Sequence, residues 1–264
     1  QNDKPLSNTF VRRVHAVLQA ALKQAVKERL IPYNPCENCR IPPKDKKEMT
    51  ILPPEKIGRY LQEAEKYGVL PMFYLELYSG LRRGELLALQ WTDLNVKERI
   101  LTVNKQVTRM EGELDVTEPK IKNSVRKVAL SQQAVDLLVQ EHEQHPDNPI
   151  LFPSPRTGGY WSPDAVSRIN RKLLKTAGIE EHVRFHDLRH TFATMAISSG
   201  VDVKTLSSML GHYSAGFTLD TYTHITNDMQ RGAAEKIGGF MESATATTTP
   251  EPPDPPEESR CKVI

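Results

Sequence analysis

The segment of residues 186–224 constrains this chain more than any other part of its sequence. Its letters run HDLRHTFATMAISSGVDVKTLSSMLGHYSAGFTLDTYTH. His186 and Arg189 lie one helical turn apart, His212 follows a glycine, and Tyr222 comes ten residues later. Two imidazoles, a guanidinium and a phenol are groups that can hold a phosphodiester and attack it without a metal ion. The pattern therefore predicts a phosphoryl-transfer site with Tyr222 as its nucleophile.

A second arginine, Arg82, lies far upstream in the stretch YSGLRRGELLAL. The stretch predicts a helix that starts at this arginine, where backbone N–H groups also favour an anion. Glu85 lies one turn further on and could orient the guanidinium. Arg83 is expected to be an ordinary solvated side chain. Because a guanidinium fork matches two phosphate oxygens, Arg82 and Arg189 are predicted to clamp the non-bridging oxygens together.

The order of these motifs, an upstream arginine followed by HxxR, LGH and YTH, resembles the tyrosine recombinase family, which includes phage and conjugative-transposon integrases. The resemblance covers roughly residues 8–241. It implies that His186 assists proton transfer at the attacking tyrosine and that His212 donates a hydrogen bond to the phosphate. The catalytic residues that it implies are Arg82, Lys120, His186, Arg189, His212 and Tyr222.

Two of these assignments have a competitor nearby in the sequence. The resemblance implies a lysine on a β-hairpin as the proton donor for the leaving oxygen, and EPKIKNSVRKVAL offers both Lys120 and Lys122. Lys120 aligns better with the family's lysine. Tyr213 directly follows the motif histidine and is expected to be structural, which leaves Tyr222 as the nucleophile.

The hydrophobic pattern predicts a mainly α-helical fold with one small antiparallel β-sheet. Apolar residues at three- and four-residue spacing predict helices over 8–30, 53–68, 71–78, 84–91, 131–143, 162–177, 187–199, 203–210, 215–222 and 228–242. Alternating residues predict strands over 99–108 and 125–130, with turns at 111–112 and 122–124. This is also the architecture that the recombinase resemblance implies for a catalytic domain.

A proline- and lysine-rich linker after the first helix suggests where the chain divides. We expect residues 1–45 to be the C-terminal part of a helical core DNA-binding domain with its linker, and 49–242 to be the catalytic domain. Residues 243–264 are rich in Thr, Pro and Glu and are expected to be a disordered tail. The resemblance also implies that the start of the helical domain and an arm-binding domain are missing, as in a truncated chain.

The distribution of charge favours a polyanionic partner. Residues 1–48 hold ten Lys and Arg against five Asp and Glu, a net charge of +5, whereas 242–264 carry −3. Several basic residues of the first helix lie off its apolar stripe. The predicted DNA-binding residues are Arg12, Arg13, Lys23, Lys27 and Lys122.

No metal or cofactor is expected from the sequence. Cys36 and Cys39 form a single CxxC motif, and the nearest histidine outside that loop is His15 on the preceding helix. Because a tetrahedral zinc site needs four ligands, the motif by itself favours a plain surface loop. Three cysteines in 264 residues argue against a disulfide framework and for a reducing compartment. The chain also carries no apolar run long enough to span a membrane.

The resemblance implies several partners. These are double-stranded DNA attachment sites, three further copies of the chain in a tetramer on DNA, and a directionality factor, with a monomer when free. We expect residues 228–242 to dock on a neighbouring protomer in that tetramer. The expected location is the bacterial cytoplasm, on the nucleoid when active.

Two other functions fit parts of the sequence. A type IB topoisomerase uses the same chemistry but acts as a monomer, and the helix over 8–30 favours a recombinase. Residues 187–211 also resemble a helix-turn-helix, which would suit a DNA-binding regulator without chemistry. Such a regulator would not need Arg82, His212 and Tyr222 together.

Overall fold

The computed structural model describes residues 5–44, 50–110, 112–118, 125–211, 216, 218–219 and 234–243. The chain divides into two compact units, residues 1–49 and 50–264. The division between residues 49 and 50 follows the proline- and lysine-rich stretch. The domain bounds and the assignment of the first unit as part of a DNA-binding domain stay predictions.

The first unit contains one long helix and the loop that folds back on it. Helix α1 (Asn8–Lys27) begins at Ser7, whose hydroxyl accepts a hydrogen bond from the backbone N–H of Phe10. It ends three residues earlier than predicted, and no residue of α1 is buried. The loop is held by hydrogen bonds from Arg12 Nη1 to the carbonyl of Pro42 and from Asn34 Nδ2 to the carbonyl of Gln19.

The second unit contains most of the helices. Prolines start α2, α3 and α6, where the missing N–H costs no hydrogen bond. The predicted helix over 84–91 is shorter in the structure, because Leu89 leaves the helix and residues Trp91–Asp93 form a 3₁₀ turn capped by Asp93. The helices are α2 (Pro54–Lys66), α3 (Leu70–Ser79), α4 (Arg83–Ala88), α5 (Gln132–Glu143), α6 (Pro163–Thr176), α7 (Phe185–Ser198) and α8 (Val203–Leu210).

Helix α3 lies in the core of this unit and packs against α2, α5 and α7. Phe73 on α3 makes edge-to-face contacts with Tyr60 on α2 and Phe185 on α7, at centroid distances of 5.9 and 5.7 Å. The buried Tyr60 hydroxyl donates to Asn170 Oδ1 on α6 over 2.6 Å. These contacts fix α7, which carries the HxxR motif, against the centre of the core.

The sheet prediction needs a correction, because the described strands form two small antiparallel sheets. One has the order β1–β2–β5, and the other is the hairpin β3–β4. The predicted strand over 99–108 is broken at Asn104 and Lys105, where the Lys105 ammonium donates to Gln90 and Asp93 and draws the chain out of the first sheet. The strands are β1 (Leu94–Asn95), β2 (Ile100–Val103), β3 (Gln106–Met110), β4 (Glu113–Thr117) and β5 (Arg126–Ala129).

Near the C-terminus the structure describes only short pieces. Residues 234–243 are helical, in agreement with part of the predicted helix over 228–242. Residues 216, 218 and 219 are helical as well, within the predicted helix over 215–222. Beyond Ser243, the predicted tail lies outside the described residues. No helix in the described part of the chain is long and apolar enough to cross a membrane.

Candidate active site

The junction between α3 and α4 places Arg82. Gly80 ends α3 in the left-handed conformation with φ 57°, and Arg82 is the residue that precedes the first turn of α4. A Cβ atom on Gly80 would lie 2.4 Å from Phe192 Cδ1 on α7. Both the backbone angle and the close contact require glycine at this position. The tight turn that glycine allows leads the chain past α7, the helix of the HxxR motif, to Arg82.

Gly80→Ala is therefore expected to lower the free energy of unfolding by about 2–4 kcal/mol, through the strained backbone and the overpacked contact with Phe192. Chemical denaturation of the purified chain measures this loss. Gly58→Ala on α2 is the control, since a Cβ there meets no atom within 4 Å and alanine favours a helix. Equal stabilities of the two variants would contradict the packing argument.

A buried carboxylate, Glu85, holds Arg82 in place and also binds a second arginine. Its oxygens accept hydrogen bonds from Arg82 N at 2.9 Å and Nη1 at 2.7 Å. They also accept from Arg126 Nη2 at 2.7 Å and Nη1 at 3.2 Å. Burial alone would raise the pKa of Glu85, but the hydrogen bonds and charges of the two arginines outweigh it and lower the pKa. Glu85 is thus an anion that bridges two guanidinium groups. Its contacts with Arg82 agree with the prediction that Glu85 orients the Arg82 guanidinium.

The C-terminal end of α8 is bound by three arginines at three successive carbonyl groups. Arg126 Nε donates to Met209 O at 2.6 Å, Arg189 Nη2 to Leu210 O at 2.7 Å, and Arg82 Nη2 to Gly211 O at 2.9 Å. These carbonyls lack partners within the helix and lie at the negative end of its dipole. The arginines therefore fix the chain immediately before His212.

Arg189 is a buried charge on α7. It is only 3% exposed, because α7 is buried on most sides. Its Nη1 also donates to Gly80 O at 2.7 Å. Burial and then the charge of Arg82 lower the pKa of Arg189 to about 10, so the guanidinium remains charged at neutral pH.

A second buried carboxyl group, Glu76, lies within electrostatic reach of Arg189 and Glu85. It is 1% exposed, and its Oε2 has no hydrogen-bond partner among the residues that the structure describes. Burial raises the pKa of Glu76 well above the usual range, which favours the neutral form. The cluster holds three guanidinium groups against the two carboxyl groups of Glu76 and Glu85, so positive charge is in excess whether or not Glu76 is protonated. Such an excess of positive charge suits an anion.

His186 lies beside the arginines at the start of α7. Its ring meets that of His190 edge-to-face at a centroid distance of 5.1 Å. Burial and then the positive charge of Arg189 lower the pKa of His186. A lowered pKa favours the neutral imidazole, which is the form that can accept a proton. The residue before the helix, Arg184, is bound to Asp187 through its backbone N–H and its guanidinium, which fixes this first turn.

The structure brings together Arg82, His186 and Arg189 of the six predicted catalytic residues. The other three, Lys120, His212 and Tyr222, lie outside the described residues, as do Lys122 and Tyr213. The remaining predicted DNA-binding residues are on α1. There Arg13, Lys23 and Lys27 are exposed, and Arg12 is partly buried by its contact with Pro42.

Sequence reasoning missed two arginines. Arg83, expected to be solvated, donates to Pro163 O and Ser167 Oγ and ties α4 to α6. Arg126 is 8% exposed and occupies an inward position of β5, in alternation with the buried Val128. A charged residue on the inward side of a strand is a signal that could have identified it.

Comparison with known proteins agrees with this arrangement. The phage integrase family matches residues 51–229. The ICEBs1 integrase of Bacillus subtilis strain 168 is 30% identical over 249 residues, which cover 89% of this chain and 67% of that protein. A protein described as "tyrosine recombinase XerC-like" from Caldanaerobacter subterraneus is 28% identical over 263 residues, with the same shares. The chain thus spans about two thirds of the length of these relatives.

Solved structures share the fold. The Tn1549 transposon integrase in complex with a circular intermediate DNA superposes with a TM-score of 0.76 at 22% identity, over 89% of this chain and 81% of that one. XerA recombinase superposes with a TM-score of 0.59 at 25% identity, over 88% and 85%. With the family match over most of the second unit, the chain belongs to the phage integrase family of tyrosine recombinases.

Proposed function

We propose that this chain is a site-specific DNA recombinase of a mobile element, which cleaves and rejoins DNA through a 3′-phosphotyrosine intermediate. The observation that carries the proposal is the binding of Arg82 and Arg189 to the last carbonyls of α8, directly before His212. Among the described contacts, Arg82 donates from Nη1 to Glu85 and from Nη2 to Gly211 O. Arg189 donates from Nη1 to Gly80 O and from Nη2 to Leu210 O. Because a guanidinium has five N–H donors, further donors remain for a phosphate.

The chemistry follows from the roles of these groups. The Tyr222 oxygen attacks the scissile phosphorus, its proton passes to the neutral His186, and the bond to the 5′-oxygen breaks. Arg82, Arg189 and His212 hold the phosphate oxygens. The phosphotyrosine conserves the bond energy, so attack by the 5′-hydroxyl of another strand rejoins the DNA without ATP.

Lys120 is proposed to give the leaving 5′-oxygen its proton. It lies six residues before Arg126, which is anchored to Glu85. A stretch of that length spans at most about 20 Å, which is compatible with a role for the lysine at the arginine cluster. Lys122 stays the alternative proton donor and a proposed DNA contact.

The test is a covalent adduct. The purified chain is incubated with a pool of nicked duplexes with randomised cores, from which SDS-resistant complexes are selected, and the linked peptide is identified by mass spectrometry. We expect the DNA on Tyr222. Tyr222→Phe is expected to form no adduct and still to bind the selected DNA, because only the attacking oxygen is removed. Tyr213→Phe is the matched control and is expected to form the adduct normally. An adduct with Tyr222→Phe, or its loss with Tyr213→Phe alone, would contradict the assignment.

The proposed working state is a tetramer on double-stranded attachment sites, controlled by a directionality factor, with a monomer when free. The apolar residues Ile237, Phe240 and Met241 in the helix 234–243 are 64%, 70% and 57% exposed, which supports a docking role for this helix. Arg13, Lys23 and Lys27 are the proposed phosphate contacts of the first unit. The proposed location is the bacterial cytoplasm, on the nucleoid during recombination.

A further inference from the structure

The first unit brings three metal-ligating side chains together. His15 projects from α1, whereas Cys36 and Cys39 lie in the loop that folds back on it. One ligand atom of each residue lies within 4.8 Å of the other two. Both cysteines are free thiols. The sequence pattern alone supplied two ligands, and only the return of the loop adds the third.

The backbone of the loop holds this arrangement. Asn34 is 5% exposed, and its Oδ1 accepts from the N–H of Cys36 at 2.9 Å, while its Nδ2 donates to Gln19 O on α1 at 3.2 Å. The N–H of Cys39 donates to the carbonyl of Cys36 at 3.3 Å and closes the turn. His15 Nε2 lies 3.2 Å from that same carbonyl oxygen. Both thiols and the imidazole are therefore fixed at one point between helix and loop.

We propose that His15, Cys36 and Cys39 form a zinc site that fastens the loop to α1. Two thiolates and an imidazole are a ligand set that zinc prefers. With Zn–S bonds of about 2.3 Å and a Zn–N bond of about 2.0 Å, tetrahedral ligands lie about 3.3–3.8 Å apart, so the cluster closes on an ion with shifts of about 1 Å. A water molecule occupies the fourth position, and binding releases two thiol protons to solvent.

A metal has a clear physical role in this unit. Since no residue of α1 is buried, the unit has little apolar burial of its own to fix the loop. A bound ion would supply that stability. It would also fix the loop beside exposed basic residues of α1, including Arg13 and Lys23.

The other use of a CxxC motif is redox chemistry, in which Cys36 and Cys39 would form a disulfide. The variants and the disulfide measurement below distinguish this use from metal binding.

The test is metal binding by the full chain, independent of DNA cleavage. The protein is reduced, stripped with a chelator and titrated with Co²⁺, whose thiolate charge-transfer bands and d–d bands report tetrahedral sulfur ligands. Zn²⁺ content is then measured by mass spectrometry. We expect one ion per chain and slower hydrogen exchange of residues 5–44 on zinc binding, with little change over 125–211.

Ligand variants identify the site. Cys36→Ser, Cys39→Ser and His15→Gln are each expected to lose the cobalt bands and the bound zinc, with unchanged exchange over residues 125–211. Cys261→Ser is the matched control and is expected to keep one ion per chain. The proposal is overturned if the reduced chain binds no metal, if Cys36→Ser retains it, or if Cys36 and Cys39 form a disulfide under conditions in which Cys261 remains reduced.

Discussion

Glu85→Gln is expected to lower the free energy of unfolding by about 3–5 kcal/mol, because it removes the charge that compensates a buried guanidinium. The Glu85 and Arg126 side chains are 3% and 5% exposed, so water cannot replace the lost partner. The amide would also direct N–H donors at Arg82 and Arg126, which offer only donors. Since Arg126 binds the end of α8, DNA cleavage is expected to be lost as well. Urea denaturation and the covalent-adduct assay measure the two effects.

Glu76→Gln is the matched control for this experiment. Glu76 is as buried as Glu85, but its raised pKa favours the protonated form. An amide has nearly the shape of a neutral carboxyl group, and we expect this variant to lose much less stability at pH 7 than Glu85→Gln. Similar losses for the two variants would contradict the role assigned to the negative charge of Glu85.

Arg82→Lys is expected to slow DNA cleavage by about 10²–10³-fold, the usual effect of losing one preorganised donor at a developing charge. Lysine keeps the charge but cannot bind Glu85, Gly211 O and a phosphate through one planar group. The Arg82 side chain is 39% exposed, so we expect the free energy of unfolding to change by less than about 1 kcal/mol. Single-turnover cleavage at saturating DNA gives the rate, and thermal unfolding gives the stability.

Arg83→Lys controls for the loss of a neighbouring guanidinium. Arg83 contacts Pro163 and Ser167 on α6 and none of the carbonyls at the end of α8. The cleavage rate of the Arg83→Lys variant at saturating DNA is expected to stay close to that of the wild type. If Arg82→Lys cleaves normally, or if its rate falls only in proportion to a large loss of stability, Arg82 has a structural role instead of a role at the phosphate.

Features that depend on near neighbours could be predicted from the sequence. The spacing of His186 and Arg189 placed them one turn apart on a helix, and Pro71 and Gly80 marked the ends of α3. Alternation also predicted β2, most of β3 and β5, but not β1 or β4. The break at Lys105 was missed because it depends on Asp93. Each of these signals acts within a few residues, where backbone geometry leaves few conformations.

Contacts between distant residues could not be predicted and depend on how the helices and strands pack. Arg82 binds Gly211 across 129 residues, and Arg126 binds Glu85 across 41 residues. The burial of Arg189, and with it a pKa of about 10, follows from the packing of α3, α6 and α8 against α7. His15 joins Cys36 and Cys39 because the loop returns to α1. No local spacing encodes such contacts, since desolvation and buried charge pairing arise only when separate elements pack together.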